Sequence, residues 1–179
     1  MLNMRWIICW AILFYGIVIL ILIIYSIRIY KRVTELESLK NSSLESLNSA
    51  LSRRYDVIEG LVNYSNGLLS DENGFVVKLL QAKLLPINEK VSVEKELIEK
   101  LKRVLSEIYE IEEINNSKEL TKLRLLLAKS EKIINEITIS LNDLIREENA
   151  IICGFPSFII AKIFGFKKQE LYDIEFVTR

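Results

Sequence analysis

The stretch "KELTKLRLLLAKSEKIINEITISLNDLIREENAII", Lys118–Ile152, decides the fold. Leu120, Leu127, Ile134 and Leu141 recur every seven residues, and Leu123, Ile137, Leu144 and Ile151 form a companion row. Two such rows make one apolar stripe along a helix, the pattern by which helix packs on helix. Ser130 and Glu148 interrupt the rows, and Asn116 or Ser117 precedes them as an N-cap. A stripe this long needs partner helices.

The upstream chain supplies them. From Val33 to about Leu69, Leu44, Leu51 and Ile58 lie seven apart, as do Leu47, Leu61 and Leu68, with Arg54 interrupting the second row. "SDENG", Ser70–Gly74, ends that helix with turn chemistry. "FVVKLLQAKLL", Phe75–Leu85, reads as a second helix stopped at Pro86, because the residue before proline avoids helical angles. "VSVEKELIEKLKRVLSEIYEIEE" opens a third, with Ser92 as its cap and Val93, Leu97, Leu101, Leu105 and Ile108 as its stripe. Four helices on short connections pack side by side, usually antiparallel. The expected fold is all-α, an antiparallel four-helix bundle over residues 28–153.

Residues 6–27, "WIICWAILFYGIVILILIIYSI", carry no charge over 22 residues. A helix needs about 20 apolar residues to cross about 30 Å of hydrocarbon, so this segment reads as a transmembrane helix. Trp6 and Trp10 at one end, with Tyr25 and Tyr30 at the other, suit the two interfaces. A cleavable signal has a shorter apolar core and a small-residue cleavage site, and "WIIC" is unlike the run before a lipidated cysteine. Arg28, Lys31 and Arg32 follow the segment whereas only Arg5 precedes it. By the positive-inside rule, residues 1–5 form a short external stub and the bundle is cytoplasmic. Neither glycine nor proline intervenes between Gly16 and Gly60, so span and first bundle helix are expected to form one rod of about 100 Å.

The polar residues give little chemistry. Antiparallel packing brings Arg54 close to Ile133, which suggests a polar layer of Arg54 with Glu131 or Ser130; the simpler reading is that Arg54 snorkels to water. The 179 residues balance 24 acidic against 24 basic side chains, which leaves no basic footprint for nucleic acid. There is no histidine, hence neither the commonest general base nor the commonest transition-metal ligand. Cys9 and Cys153 suit no disulfide framework, and Cys153 reads as a packed thiol. Asp71 and Glu72 serve a turn, Glu107, Glu110, Glu112 and Glu113 a solvated helix face, and Glu136, Asp143 and Glu147 lack the Glu-x-x-His pattern of helical di-metal sites. No catalytic, cofactor-binding or metal-ligating residue is assigned, and no enzyme is expected.

The chain ends differently. "CGFPSFIIAKIFGFKKQELYDIE", Cys153–Glu175, breaks at Gly154 and Pro156 and turns apolar. Pro156 suits the first turn of a short helix carrying Phe158, Ile159, Ile160, Ile163 and Phe164, with Gly165 ending it. Residues 154–179 are therefore a C-terminal apolar helix and tail. That helix either caps the bundle as a lid, the preferred reading, or lies in the membrane interface with Lys162, Lys167 and Lys168 near lipid.

These residues resemble the LemA family of bacterial membrane-anchored proteins. "RRYDVIEGLV", Arg53–Val62, is similar to its R-R-Y-D-L-I-P-N-L-V segment. The chain from Ser130 resembles its T-E-N-R-I…Y-N-x-x-V-x-x-Y-N-x-x-I-x-x-F-P-S-x-x-x-A-x-x-x-G-F ending, with Glu131, Asn142, Asn149, Phe155, Pro156, Ser157, Ala161, Gly165 and Phe166 in register. Glu59 and Gly60 replace the family's Pro-Asn, Leu141 and Glu148 its tyrosines, Asp71 a histidine, and "YEIEE" its Y-P-D-L. The resemblance implies a single-pass anchor, a cytoplasmic helical bundle, no agreed biochemical activity and no catalytic residues.

The function expected is that of a non-enzymatic interaction or scaffold protein at the cytoplasmic face of a bacterial inner membrane, with an unknown protein partner and possible homo-oligomerisation. The alternative is a transmembrane signalling module that relays lipid or partner signals through its long first helix.

Overall fold

A computed structural model describes residues 2–64, 72–110 and 117–174 of the chain. Among them are five helices and no strand: α1 Leu2–Tyr64, α2 Glu72–Leu84, α3 Ile87–Glu110, α4 Lys118–Cys153 and α5 Ser157–Phe164. The "SDENG" turn lies partly, and Asn116 wholly, outside the described residues. The chain divides into two compact units, Met1–Lys40 with Leu144–Glu170, and Asn41–Asp143 with Leu171–Arg179.

The second unit is the four-helix packing expected of the repeats. Tyr55, Ile58 and Leu61 of α1 share one core with Phe75 and Leu79 of α2, Leu97 and Leu101 of α3, and Leu120 and Leu127 of α4. Fully burying each such side chain is worth about 1.5–3 kcal/mol. The polar pairs fix the directions. Lys83, near the end of α2, bridges to Asp56 and Glu59 of α1 at 2.8 and 2.7 Å, so α2 runs back along α1. Lys90 and Glu94 of α3 meet Asn48 and Arg54 in ascending order, so α3 runs parallel to α1. Tyr64 at the end of α1 hydrogen-bonds Ser117 at the start of α4 at 2.5 Å, so α4 runs back again. The helices alternate in direction.

Helix termini follow the local chemistry with two corrections, the first being that α2 begins at Glu72, inside the expected turn. Ser117 caps α4, its Oγ accepting from the Glu119 N–H at 3.1 Å and its carbonyl from Thr121 at 3.1 Å. Ser92 caps nothing. Helix α3 starts five residues earlier, where the Pro86 carbonyl accepts the Lys90 N–H at 2.9 Å, and the Ser92 hydroxyl donates back to the Glu89 carbonyl at 2.7 Å. Proline suits a helix start because its missing N–H has no partner there in any case.

The stripe on α4 is wider than its sequence rows. Leu120, Leu127, Ile134 and Leu141 are buried, but Leu123, Ile137, Leu144 and Ile151 are only half-buried. The second buried row is Glu131, Thr138, Ile145 and Ile152, one position further on. A helix packed against more than one neighbour buries both flanks of its central row.

In the first unit, the turn from α4 into α5 is closed by Ser157. Its hydroxyl reaches the Ile151 carbonyl at 2.5 Å and the Gly154 carbonyl at 3.0 Å, satisfying acceptors that a helix end leaves open. Pro156, on a cis bond to Phe155, immediately precedes α5. Gly165 ends α5 with φ 77°, a left-handed conformation natural to glycine, while the Phe166 N–H returns to the Ala161 carbonyl at 2.9 Å. Each unit also holds a piece of the tail by an asparagine on α4. Asn149 exchanges two hydrogen bonds with the backbone of Gln169 at 2.8 and 3.0 Å, and Asn142 does the same with Tyr172 at 2.8 Å each way.

Candidate functional site: buried charge in the bundle and an exposed apolar end

Charged side chains stand at core positions of three helices. Arg54 of α1 is fully buried and ion-paired with Glu94 of α3, which is 1% exposed. The neighbouring Tyr55 donates its hydroxyl to the other oxygen of the same carboxylate. Glu131 of α4 is buried too, and its charge favours protonated Arg54. Burial nevertheless draws the guanidinium down to about 10, which leaves it charged at neutral pH. Burial pushes the Tyr55 phenol up to about 12, so it remains a donor. One turn before Glu94, the Lys90 ammonium donates to Asn48 Oδ1 at 2.6 Å and to the Lys83 carbonyl at 3.2 Å, and lies 6.0 Å from the Tyr55 ring centre. Desolvation pulls its pKa below that of an ordinary lysine. In the first unit, Lys40 and Glu148, both nearly closed to solvent, pair at 2.7 Å. Lys40, Lys90 and Glu148 are thus hydrogen-bonded to an opposite or dipolar partner, whereas Arg54 and Glu94 are matched by charge and, among the described residues, the guanidinium nitrogens form no hydrogen bond. A matched charge is the condition under which burial is tolerated.

Arg54 is buried and does not snorkel, which corrects the simpler reading, but its ion-pair partner is Glu94 of α3 and not Glu131 or Ser130 of α4. The signal lay in α3. Lys90, Glu94, Leu97 and Leu101 are spaced four, three and four, so two charges occupy the apolar stripe itself, Glu94 taking the buried place next to the half-buried Val93. Glu148, an interruption in the α4 rows, has Lys40 opposite it for the same reason.

The remaining candidates are scattered. Cys153 is exposed, not packed, as is Cys9. Asp71, Glu112 and Glu113 lie outside the described residues, as do the side chains of Glu72 and Glu110. Glu136 pairs with Lys132 at 3.9 Å, and Glu147 with Arg32 at 2.5 Å. Among the described residues, no three acids or thiols come together as a metal site would require.

Among the described residues, each unit carries a surface groove. In the second unit, a groove of about 460 Å³ is walled by Ser42, Ser46, Ser49, Arg53 and Ile133. The serine hydroxyls there have no imidazole to activate them, because the chain has none. In the first unit, a groove of about 460 Å³ runs along α1 from Ile19 to Lys31 and is closed on one side by Phe164 of α5. It is almost wholly apolar, as are its surroundings. From Cys9 onward α1 is long and apolar enough to cross a membrane, and none of that apolar stretch is buried. Helix α5 buries only its two smallest side chains, Ser157 and Ala161, and turns its large ones outward except for the half-buried Ile160. A lid would do the reverse.

The family model described as the LemA family matches residues 43–179. No curated protein and no solved structure matches the chain. The matched region contains the buried charges other than Lys40, both asparagine clamps and the whole of α5.

Proposed function

Because the chain belongs to the LemA family, we propose that it is a membrane-anchored helical bundle acting as a non-enzymatic interaction or scaffold protein at the cytoplasmic face of a bacterial membrane. The observation that carries this reading is α1. Its apolar stretch faces outward on every side, and the same helix continues without interruption to Tyr64 in the bundle. An isolated solvent-exposed helix of that composition is unstable in water, and a bilayer is the solvent that suits it. Arg28, Lys31 and Arg32 directly after the span favour a cytoplasmic bundle. Within the bundle, the buried charge is taken up in internal contacts that fix register, a use of buried polar groups with physical precedent. What is left for partners is the outer surface of the helices.

The unbroken course of α1 also favours a second reading, a signalling module that passes a change in tilt or register from the bilayer to the bundle. Crosslinking in intact membranes separates the two. A scaffold captures the same partners whatever the membrane's state, and a signalling module changes its partners when lipid composition is altered. The anchor has its own test. The Cys9→Ser variant, in which Cys153 is the one thiol, stays in the membrane pellet through alkaline extraction and reacts with an impermeant maleimide only after permeabilisation. Release by alkali removes the anchor, and labelling in intact cells reverses the orientation.

A further inference from the structure

The outward face of α5 is the largest feature that an anchored bundle leaves unexplained. Phe155, Phe158, Ile159, Ile163 and Phe164 are 85, 45, 47, 74 and 51% exposed, all within ten residues of chain. Such a cluster is unfavourable against water and marks a surface that is covered in use. Its position is set by what α5 touches. Ala161 packs with Val33 and Ile152, supported by Ile29 and Phe166. The Phe164 and Phe166 rings lie 5.0 and 6.1 Å from that of Tyr30. Phe164 then reaches back to wall the groove formed by Ile19, Ile23 and Ile27. Tyr30 stands only three residues, about 5 Å of helix axis, beyond the end of the 6–27 span. Helix α5 is therefore held at the level where α1 passes from apolar to charged sequence.

The charges at that level are mainly basic, although Arg32 is ion-paired with Glu35 and Glu147 at 3.1 and 2.5 Å. Arg28, Lys31 and Arg32 on α1 are joined by Lys162, Lys167 and Lys168, all three exposed, and the chain contains no acidic residue from Asn149 to Gln169. We infer that the outward face of α5 lies in the headgroup–acyl boundary of the same bilayer, its aromatic and isoleucine side chains among the upper acyl carbons and its lysines on the phosphates of anionic phospholipid. This rests on the membrane-anchored reading above. A short helix of high apolar content with basic flanks binds an interface in this way, its apolar face sunk about 5–10 Å below the headgroups. The anchor makes the contact intramolecular, so eight residues suffice where a free peptide of that length would bind weakly. Ser157 and Ala161, the two small residues one helical turn apart, let α5 lie close against the protein while the large side chains face lipid.

The test uses the full-length chain with Cys9→Ser and Cys153→Ser, reconstituted into phosphatidylcholine vesicles with or without phosphatidylglycerol. Single cysteines introduced as Leu20→Cys, Ile163→Cys and Glu136→Cys carry an environment-sensitive fluorophore. Lipids bearing a nitroxide near the carbonyl end or near the methyl end of the acyl chain serve as quenchers. The label at 163 is expected to lose roughly half its fluorescence to the shallow nitroxide, as a depth of about 5–10 Å requires. The label at 20 should lose more to the deep one, and the label at 136 should respond to neither. Replacing Lys162, Lys167 and Lys168 by Gln lowers the quenching at 163 in vesicles containing phosphatidylglycerol, towards the level seen in phosphatidylcholine alone. Quenching at 20 with none at 163 overturns the inference and leaves the anchor standing. Quenching at neither overturns both. Shielding at 163 that grows with the protein-to-lipid ratio, without quenching by lipid, overturns it in favour of a second copy of the chain as the covering surface.

Discussion

Arg54 and Glu94 are shut away from water together, and neither is tolerable there without the other. Removing one partner of a buried ion pair leaves an uncompensated charge, at a cost of about 3–5 kcal/mol. Glu94→Ala is therefore expected to lower the denaturant midpoint of the detergent-solubilised chain severely. Arg54→Leu combined with Glu94→Leu should recover most of that loss, since replacing a buried pair by well-packed apolar residues is often neutral or stabilising by about 1–4 kcal/mol. A double variant as unstable as the single one would mean that the pair itself holds the bundle together.

Tyr55 gives a pH-dependent companion to this experiment. Its folded-state value of about 12 lies above its ordinary 10.0, so the fold favours the protonated phenol. The stability it contributes is complete below pH 10 and is lost as pH rises from 10 towards 12. Arg54 runs the other way, because its folded-state value of about 10 lies below that of an ordinary guanidinium and the unfolded chain holds that proton longer. Comparing wild type with Tyr55→Phe, where Arg54 is retained, isolates the phenol: the variant should show a shallower fall in stability across that window. Identical alkaline limbs would contradict it. At this scale the sequence was half legible. Arg54 stood out because it interrupted a row of leucines, but its partner required knowing which of three helices faces it.

Among the elements, the bundle helices were readable because each stripe repeats with helical spacing over many turns, and burial keeps that spacing honest. Boundaries were less so. The start of α3 fell to a backbone acceptor at Pro86 rather than to the expected hydroxyl of Ser92, which bonds the Glu89 carbonyl instead of capping. The second buried row of α4 was displaced by one residue because the rows alone do not state how many neighbours a helix has. The extended segment after α5 has no periodicity at all. It is held by Asn142 and Asn149, matched to a family pattern with no structural role evident in the sequence. Asn142→Ala removes both bonds to Tyr172, and the Tyr172 amide is expected to lose its protection from hydrogen exchange while amides in the middle of α3 keep theirs. Unchanged protection at Tyr172 would show that the buried Ile174 and the Tyr172–Asn88 bond hold the tail without help.

For the whole molecule, the sequence carries two solvents in one helix. Residues 6–27 are apolar on all faces, whereas from Val33 onward only one side is apolar, with Val33, Leu36, Lys40, Leu47, Leu51, Arg54 and Ile58 turned inward. That change of pattern within α1 is the physical basis for an anchored bundle. It is tested most directly by cysteine scanning along α1 from residue 10 to residue 64 in native membranes, reading each position with a water-soluble thiol reagent. The account predicts uniform protection to about Ile27, then reactivity rising and falling once per helical turn through to Tyr64. Reactivity that oscillates from residue 10 onward, as on a helix packed in a water-soluble bundle, would contradict it.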